Sequence, residues 1–86
     1  MDIKVVGMQF RRNHHVFSET DVITLEREST NPYDPFAIKV LVNGEHVAYV
    51  ARECNRNVVE PSKLEVKWKT NWYSGETIVA ATLEVH

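Results

Sequence analysis

The sequence predicts a mainly β fold, a small closed or nearly closed barrel of about six short strands with one short helix. Two stretches alternate apolar and polar residues with a period of two. Ile23 and Leu25 oppose Thr24 and Glu26; Leu64, Val66 and Trp68 oppose Lys63, Glu65, Lys67 and Lys69. Asn43-Gly44 sits between two β-rich runs and favours a type I′ hairpin turn, because both residues tolerate positive φ. Short strands following one another, with a helix late in the chain, pack best as a barrel, which also removes unpaired edges.

The elements follow in order. Residues 3–10 are a β-rich run interrupted by Gly7, which suggests a bulge or a close backbone approach. Residues 11–15 are polar and read as a loop. Residues 22–27 form the second strand, 37–42 the third and 45–50 the fourth. Residues 51–59 lose the period of two and read as one or two helical turns, ended before Pro61. A strand is expected around 64–69, a turn at 71–75 and a last strand at 77–85.

The 86 residues make one domain, 1–86. No apolar run approaches the ~20 residues of a membrane-spanning helix. The N-terminus lacks the basic and apolar regions of a signal peptide. Cys54 is the single cysteine and has no internal partner. These features point to an intracellular, cytoplasmic protein. The net charge is −2. A nucleic-acid binder gains much of its affinity by neutralising phosphates. Any such contact here must be local and strongly salt dependent.

The stretch Ser-Thr-Asn-Pro-Tyr-Asp-Pro-Phe-Ala-Ile, residues 29–38, is too stiff for the strands around it. Pro32 and Pro35 fix φ and lack an N–H; Asn31 and Asp34 precede prolines and are pushed to extended conformations. The segment is a surface turn whose shape is set before anything binds. Tyr33 is a candidate stacking platform. Asp34 is a candidate acceptor for a sugar hydroxyl and repels a phosphate at the same spot. In a competing reading, Tyr33 lies flat as a lid on the barrel end and Asp34 satisfies only its own loop.

Residues 25–40 resemble the signature of the HIRAN domain family, in which a strand ending Arg-Glu-Pro leads into Asn-Pro-Tyr-Asp and then Asn-Ala-Ile-x-Val. Val5-Val6-Gly7-Met8 resembles the family's opening Val-Gly strand. Gly44-Glu45-His46-Val47-Ala48-Tyr49-Val50 resembles its Gly-x-x-Val-Gly-Tyr-Val strand. The resemblance covers residues 3–56. It implies an OB-like barrel with one or two short helices that binds nucleic acid. The family's best understood members are accessory domains of DNA-repair and fork-remodelling ATPases, where they recognise single-stranded DNA with a free 3′ hydroxyl. Carried over by position, Asn31, Tyr33 and Asp34 match the DNA-end pocket. Arg52 matches a basic phosphate contact, and Gln9, Phe10 and Arg11 fall at the positions of an Arg-Tyr-Tyr-like run, with Phe10 keeping one of its two aromatic positions and Arg11 a candidate phosphate contact. Five positions depart from the pattern: Gln9 and Arg11 within that run, Ser29 for proline, Phe36 for asparagine and Ala48 for glycine. The scaffold positions match better than the ligand contacts.

Other candidates carry less. Arg11, Arg12, His14 and His15 form one basic cluster. Lys63, Lys67 and Lys69 read as a solvated strand face. Trp68 falls in phase with Leu64 and Val66 and reads as core. Trp72 lines a ligand groove or seals the barrel. No Cys/His set has metal-site spacing, no nucleophile stands beside a base, and no glycine loop cradles a phosphate. No metal, cofactor or catalytic residue is therefore expected, and any ATPase or hydrolase activity would belong to a partner. The expected function is a nucleic-acid binding module for single-stranded DNA ends in repair or at replication forks, with a DNA-processing ATPase or helicase as a possible partner. The alternatives are a protein-interaction module with an apolar patch around Phe10, Phe36 and Trp72, or a small hydrolase or nuclease.

Overall fold

The computed structural model describes residues 1–8 and 15–86. Six antiparallel strands close into a barrel: β1 (Asp2–Val6), β2 (Ile23–Arg27), β3 (Ile38–Val42), β4 (Glu45–Val50), β5 (Val66–Ser74) and β6 (Thr77–Val85). The order around the barrel is β1-β4-β3-β2-β5-β6, with β6 returning to β1. A four-residue helix, α1 (Arg52–Asn55), follows β4, and a 3₁₀ turn (Pro61–Lys63) precedes β5. Among the described residues, no helix is long and apolar enough to cross a membrane.

The period of two fills the barrel. Ile3 and Val5 from β1, Ile23 and Leu25 from β2, Ile38, Val40 and Val42 from β3, and Leu83 and Val85 from β6 all point inward. Thr24 and Glu26, between the buried β2 residues, are exposed. Phe17, only 2% exposed, joins the core from the segment before β2.

Closure needs curvature, and bulges supply it. In β3–β4, Val40 pairs with Ala48 while Leu41 pairs with His46, leaving Val47 extra. Val47 and Ala48 are consequently both buried. In β5–β6, Trp68 pairs with Leu83 and Thr70 with Thr82, leaving Lys69 extra. The thinnest seam lies between β2 and β5, joined in register only at Ile23–Val66.

The Asn43-Gly44 turn has φ of 52° and 86°, as a type I′ hairpin requires. Two expectations change. The first strand ends at Val6 rather than running to residue 10. Gly7 has φ 91°, and a Cβ built there meets nothing within 4 Å, so it turns the chain rather than admitting a close neighbour. The turn expected at 71–75 is instead strand, and β5 continues to Ser74. Asn71, Trp72 and Tyr73 pair with Ala81, Ala80 and Ile78, and the reversal is made by Gly75, φ 63°, with Glu76. Polar and aromatic residues that look turn-like in isolation are held in β5 by the nine-residue partner strand β6.

Lys63, Lys67 and Lys69 are exposed as expected. Each meets a carboxylate: Glu60 at 3.3 Å, Glu65 at 3.3 Å and Asp2 at 2.8 Å. Neutralised in this way, they make a poor track for a nucleic-acid backbone. Trp68 is half-buried and packs against the core, as does Leu64.

Candidate nucleic-acid interface

The proline loop spans residues 28–37, between β2 and β3, and is closed by backbone bonds at both ends. Glu28 N–H donates to Ala37 O at 2.8 Å and Ala37 N–H to Asp34 O at 3.1 Å. Its peptide bonds, like the others described, are all trans.

Asn31 organises the turn. Its Oδ1 accepts from the Tyr33 N–H at 2.8 Å and the Asp34 N–H at 3.0 Å. Its Nδ2 donates to Glu28 Oε1 at 2.8 Å. An Asx turn of this kind is what Asn before Pro favours. Sequence reading gave Asn31 a ligand contact, but its carbonyl oxygen already accepts two loop amides. Its placement makes it the builder of the loop.

Tyr33 is 89% exposed. The lid reading fails here: with Pro32 behind it and the turn fixed by Asn31, the ring projects outward rather than folding onto the barrel. Asp34 does more than satisfy its own loop. Oδ1 accepts from the Phe36 N–H at 2.9 Å, and Oδ2 accepts from Asn55 Nδ2 at 2.7 Å. These two bonds, the Phe36 amide first, hold its carboxyl below the usual carboxylate range, against a smaller opposing effect of desolvation; Arg52 and Arg56 add to the lowering. Asp34 is therefore ionised at neutral pH.

The opposite wall comes from β4 and α1. Ala51 N–H donates to Lys4 O at 2.7 Å, fixing the start of α1 against β1. Arg52, exposed, and Asn55, 1% exposed, both belong to α1. With Asn31, Tyr33, Asp34 and Tyr49 they line a cleft of ≈ 540 Å³. Behind it, Glu28 Oε1 accepts from Tyr49 Oη at 3.1 Å as well as from Asn31, and its carboxyl is lowered, Asn31 being the largest cause. Sequence reading thus brings Asn31, Tyr33, Asp34 and Arg52 to one place. Phe10, Arg11, Arg12 and His14 lie outside the described residues. His15 is turned elsewhere, bonding Asp21 Oδ2 at 2.9 Å.

Asn55 escaped the sequence reading. A lone asparagine in a short helical turn gives no signal of burial, and only the fold sets it against Asp34. Phe36 is 41% exposed, with the Arg56 guanidinium 4.6 Å above its ring, so a cation sits against part of the apolar surface expected there. Trp72, 53% exposed, is not part of the cleft wall. Its Nε1 donates to Thr82 Oγ1 at 2.8 Å. It does lie in register with the cleft, since Trp72 pairs with Ala80, Ala80 with Val6 and Val6 with Tyr49.

The arrangement offers an exposed ring, an ionised acceptor and an adjacent arginine at the mouth of one cleft. That set can stack a base, accept a hydroxyl proton and meet a phosphate. No curated protein and no solved structure matches the chain. The family model for the HIRAN domain matches residues 1–64, which take in β1 to β4, the proline loop, α1 and the 3₁₀ turn, while β5 and β6 complete the barrel beyond it. The chain belongs to the HIRAN domain family, which makes it a nucleic-acid binding module in general terms.

Proposed function

We propose that the chain is a non-catalytic module that binds the 3′-hydroxyl end of single-stranded DNA, in a repair or replication-fork setting, and leaves any ATPase or hydrolase chemistry to a partner. Tyr33 stacks the terminal base. Asp34 accepts a hydrogen bond from the terminal sugar hydroxyl. Arg52 meets the adjacent phosphate. Asn31 contributes by shaping the loop.

The observation that carries this reading is the pairing of an 89%-exposed Tyr33 with the ionised Asp34 beside it. A rigid, projecting ring loses little freedom on binding, and an acceptor-only carboxylate favours a hydroxyl over a phosphate.

The test is fluorescence anisotropy of a labelled short single strand at low salt, with a 3′-hydroxyl or a 3′-phosphate end. Tighter binding of the hydroxyl end, weakened by Tyr33→Ala, is expected. Equal binding of both ends, or none, would remove the strand-end assignment.

A further inference from the structure

We propose that Asn55 is the positioning residue for Asp34, and that the cleft tells a terminal hydroxyl from a terminal phosphate through this pair. The inference rests on the strand-end reading above.

Asn55 is 1% exposed, a polar side chain among core residues. Its Nδ2 donates to Asp34 Oδ2 at 2.7 Å, while its buried Oδ1 has no partner among the described residues. An aliphatic side chain of similar size would fill the space without leaving a buried acceptor unpaired. Packing alone therefore does not account for an amide here. Nor can the amide be turned round. Its Oδ1 would then face Asp34 Oδ2, two acceptors with no proton between them. The bond observed is one that an ionised Asp34 selects.

Its consequence is orientation. The Phe36 N–H holds one carboxylate oxygen and Asn55 holds the other. Each oxygen keeps a lone pair for a ligand. The charges around this carboxylate make the orientation matter. Arg52 of α1 and Arg56, just after it, act on it, and Glu28 lies across the loop through Asn31, with Tyr49 of β4 behind. Two arginines by themselves would welcome a phosphate end. Asp34, fixed and ionised near them, opposes it. Released from Asn55, the carboxylate is free to swing toward the arginines and the opposition weakens.

Two variants test this in the whole chain. Asn55→Leu removes the donor. Asn55→Asp keeps the shape and sets a second carboxylate against Asp34, so that the two share a proton and titrate as a pair. Three readouts are taken: thermal unfolding, the ratio of affinities for 3′-hydroxyl and 3′-phosphate strands between pH 5 and 8, and the Asp34 carboxyl followed by ¹³C NMR.

In the parent chain the ratio changes with pH only through the terminal phosphate's own second ionisation, near pH 6. Asn55→Leu lowers it by roughly tenfold, the value of one charge-assisted hydrogen bond, and moves the Asp34 titration to higher pH. Asn55→Asp adds a further pH dependence, absent from the parent and from Asn55→Leu, as the carboxyl pair titrates, a change that simple loss of packing does not produce. A folded Asn55→Leu variant with the parent's ratio would overturn the proposal. If the parent itself does not discriminate between the ends, the strand-end reading fails. The Asp34 titration then decides the positioning role separately, and an unmoved midpoint in both variants overturns that as well.

Discussion

The guanidinium of Arg27, at the end of β2, donates to the carbonyl of Val58 at 2.6 Å and, through its other nitrogen, to that of Phe36 at 3.0 Å. One side chain thus ties the proline loop to the segment that follows α1, the helix on the opposite wall of the cleft. Lysine has one nitrogen and cannot span both carbonyls in this planar fork. Arg27→Lys is expected to cost about 1–3 kcal/mol of stability, since hydrogen bonds from a charged donor are the stronger kind. Urea unfolding checks it. A change below the error of the transition would show that the tie is not what holds the loop.

Tyr33 separates binding from folding. Its side chain is 89% exposed. Tyr33→Ala should therefore leave stability within about 0.5 kcal/mol, as surface substitutions do. Loss of a stacked base should cost roughly 1–3 kcal/mol of binding. Parallel unfolding and anisotropy measurements on one preparation compare the two. A large stability loss would mean that the ring supports the loop.

The hairpin between β3 and β4 rests on backbone conformation alone. Gly44 has φ 86°, and a Cβ added there meets nothing within 4 Å. Gly44→Ala should cost about 1 kcal/mol, the strain of a left-handed L-residue, with no steric contribution. Chemical denaturation gives the value. An unchanged midpoint would indicate that the turn relaxes to another type.

Acid should loosen the cleft first. The carboxyls of Asp34 and Glu28 are both held below their ordinary values, by the Phe36 amide with Asn55 and by Asn31 with Tyr49 respectively. A depressed carboxyl contributes stability that is present above the unfolded pKa, about 4, and is lost as pH falls through the folded value. Lys69, raised chiefly by its bond to Asp2, works the other way: its contribution is present at neutral pH and is lost as pH rises through its folded pKa, above 10.5. Melting temperature should therefore hold between about pH 5 and 9 and fall below about pH 4. Asp34→Asn should flatten the acid limb. An identical limb in that variant would assign the acid sensitivity to other groups.

Much of the barrel was legible because its rules are local. Alternation placed Ile23 and Leu25 inward, and Asn43-Gly44 fixed a hairpin from two residues. The proline loop was legible for the same reason, since Pro32 and Pro35 restrict their neighbours whatever surrounds them. Residues governed by distant partners were not. Trp72 and Tyr73 look like turn residues until β6 pairs with them. Asn55 acquires its role only when α1 is set against Asp34, twenty-one positions earlier in the chain.

Salt gives the last test, because among the described residues few cations stand at the cleft. The chain carries a net charge of −2, and the three β5-side lysines are already paired with carboxylates. Arg52 lines the cleft, and Arg56 of the following turn acts on the same carboxylate. One or two phosphate contacts imply a slope of log affinity against log salt of roughly −0.7 to −1.4 for a single strand. Arg52→Ala should make the slope shallower by about 0.7 while leaving the preference for a hydroxyl end in place, since Asp34 sets that preference. A titration series from low to moderate salt measures both at once. A parent slope several times steeper would mean that a larger basic surface carries the strand. An unchanged slope in Arg52→Ala would take the phosphate contact away from α1.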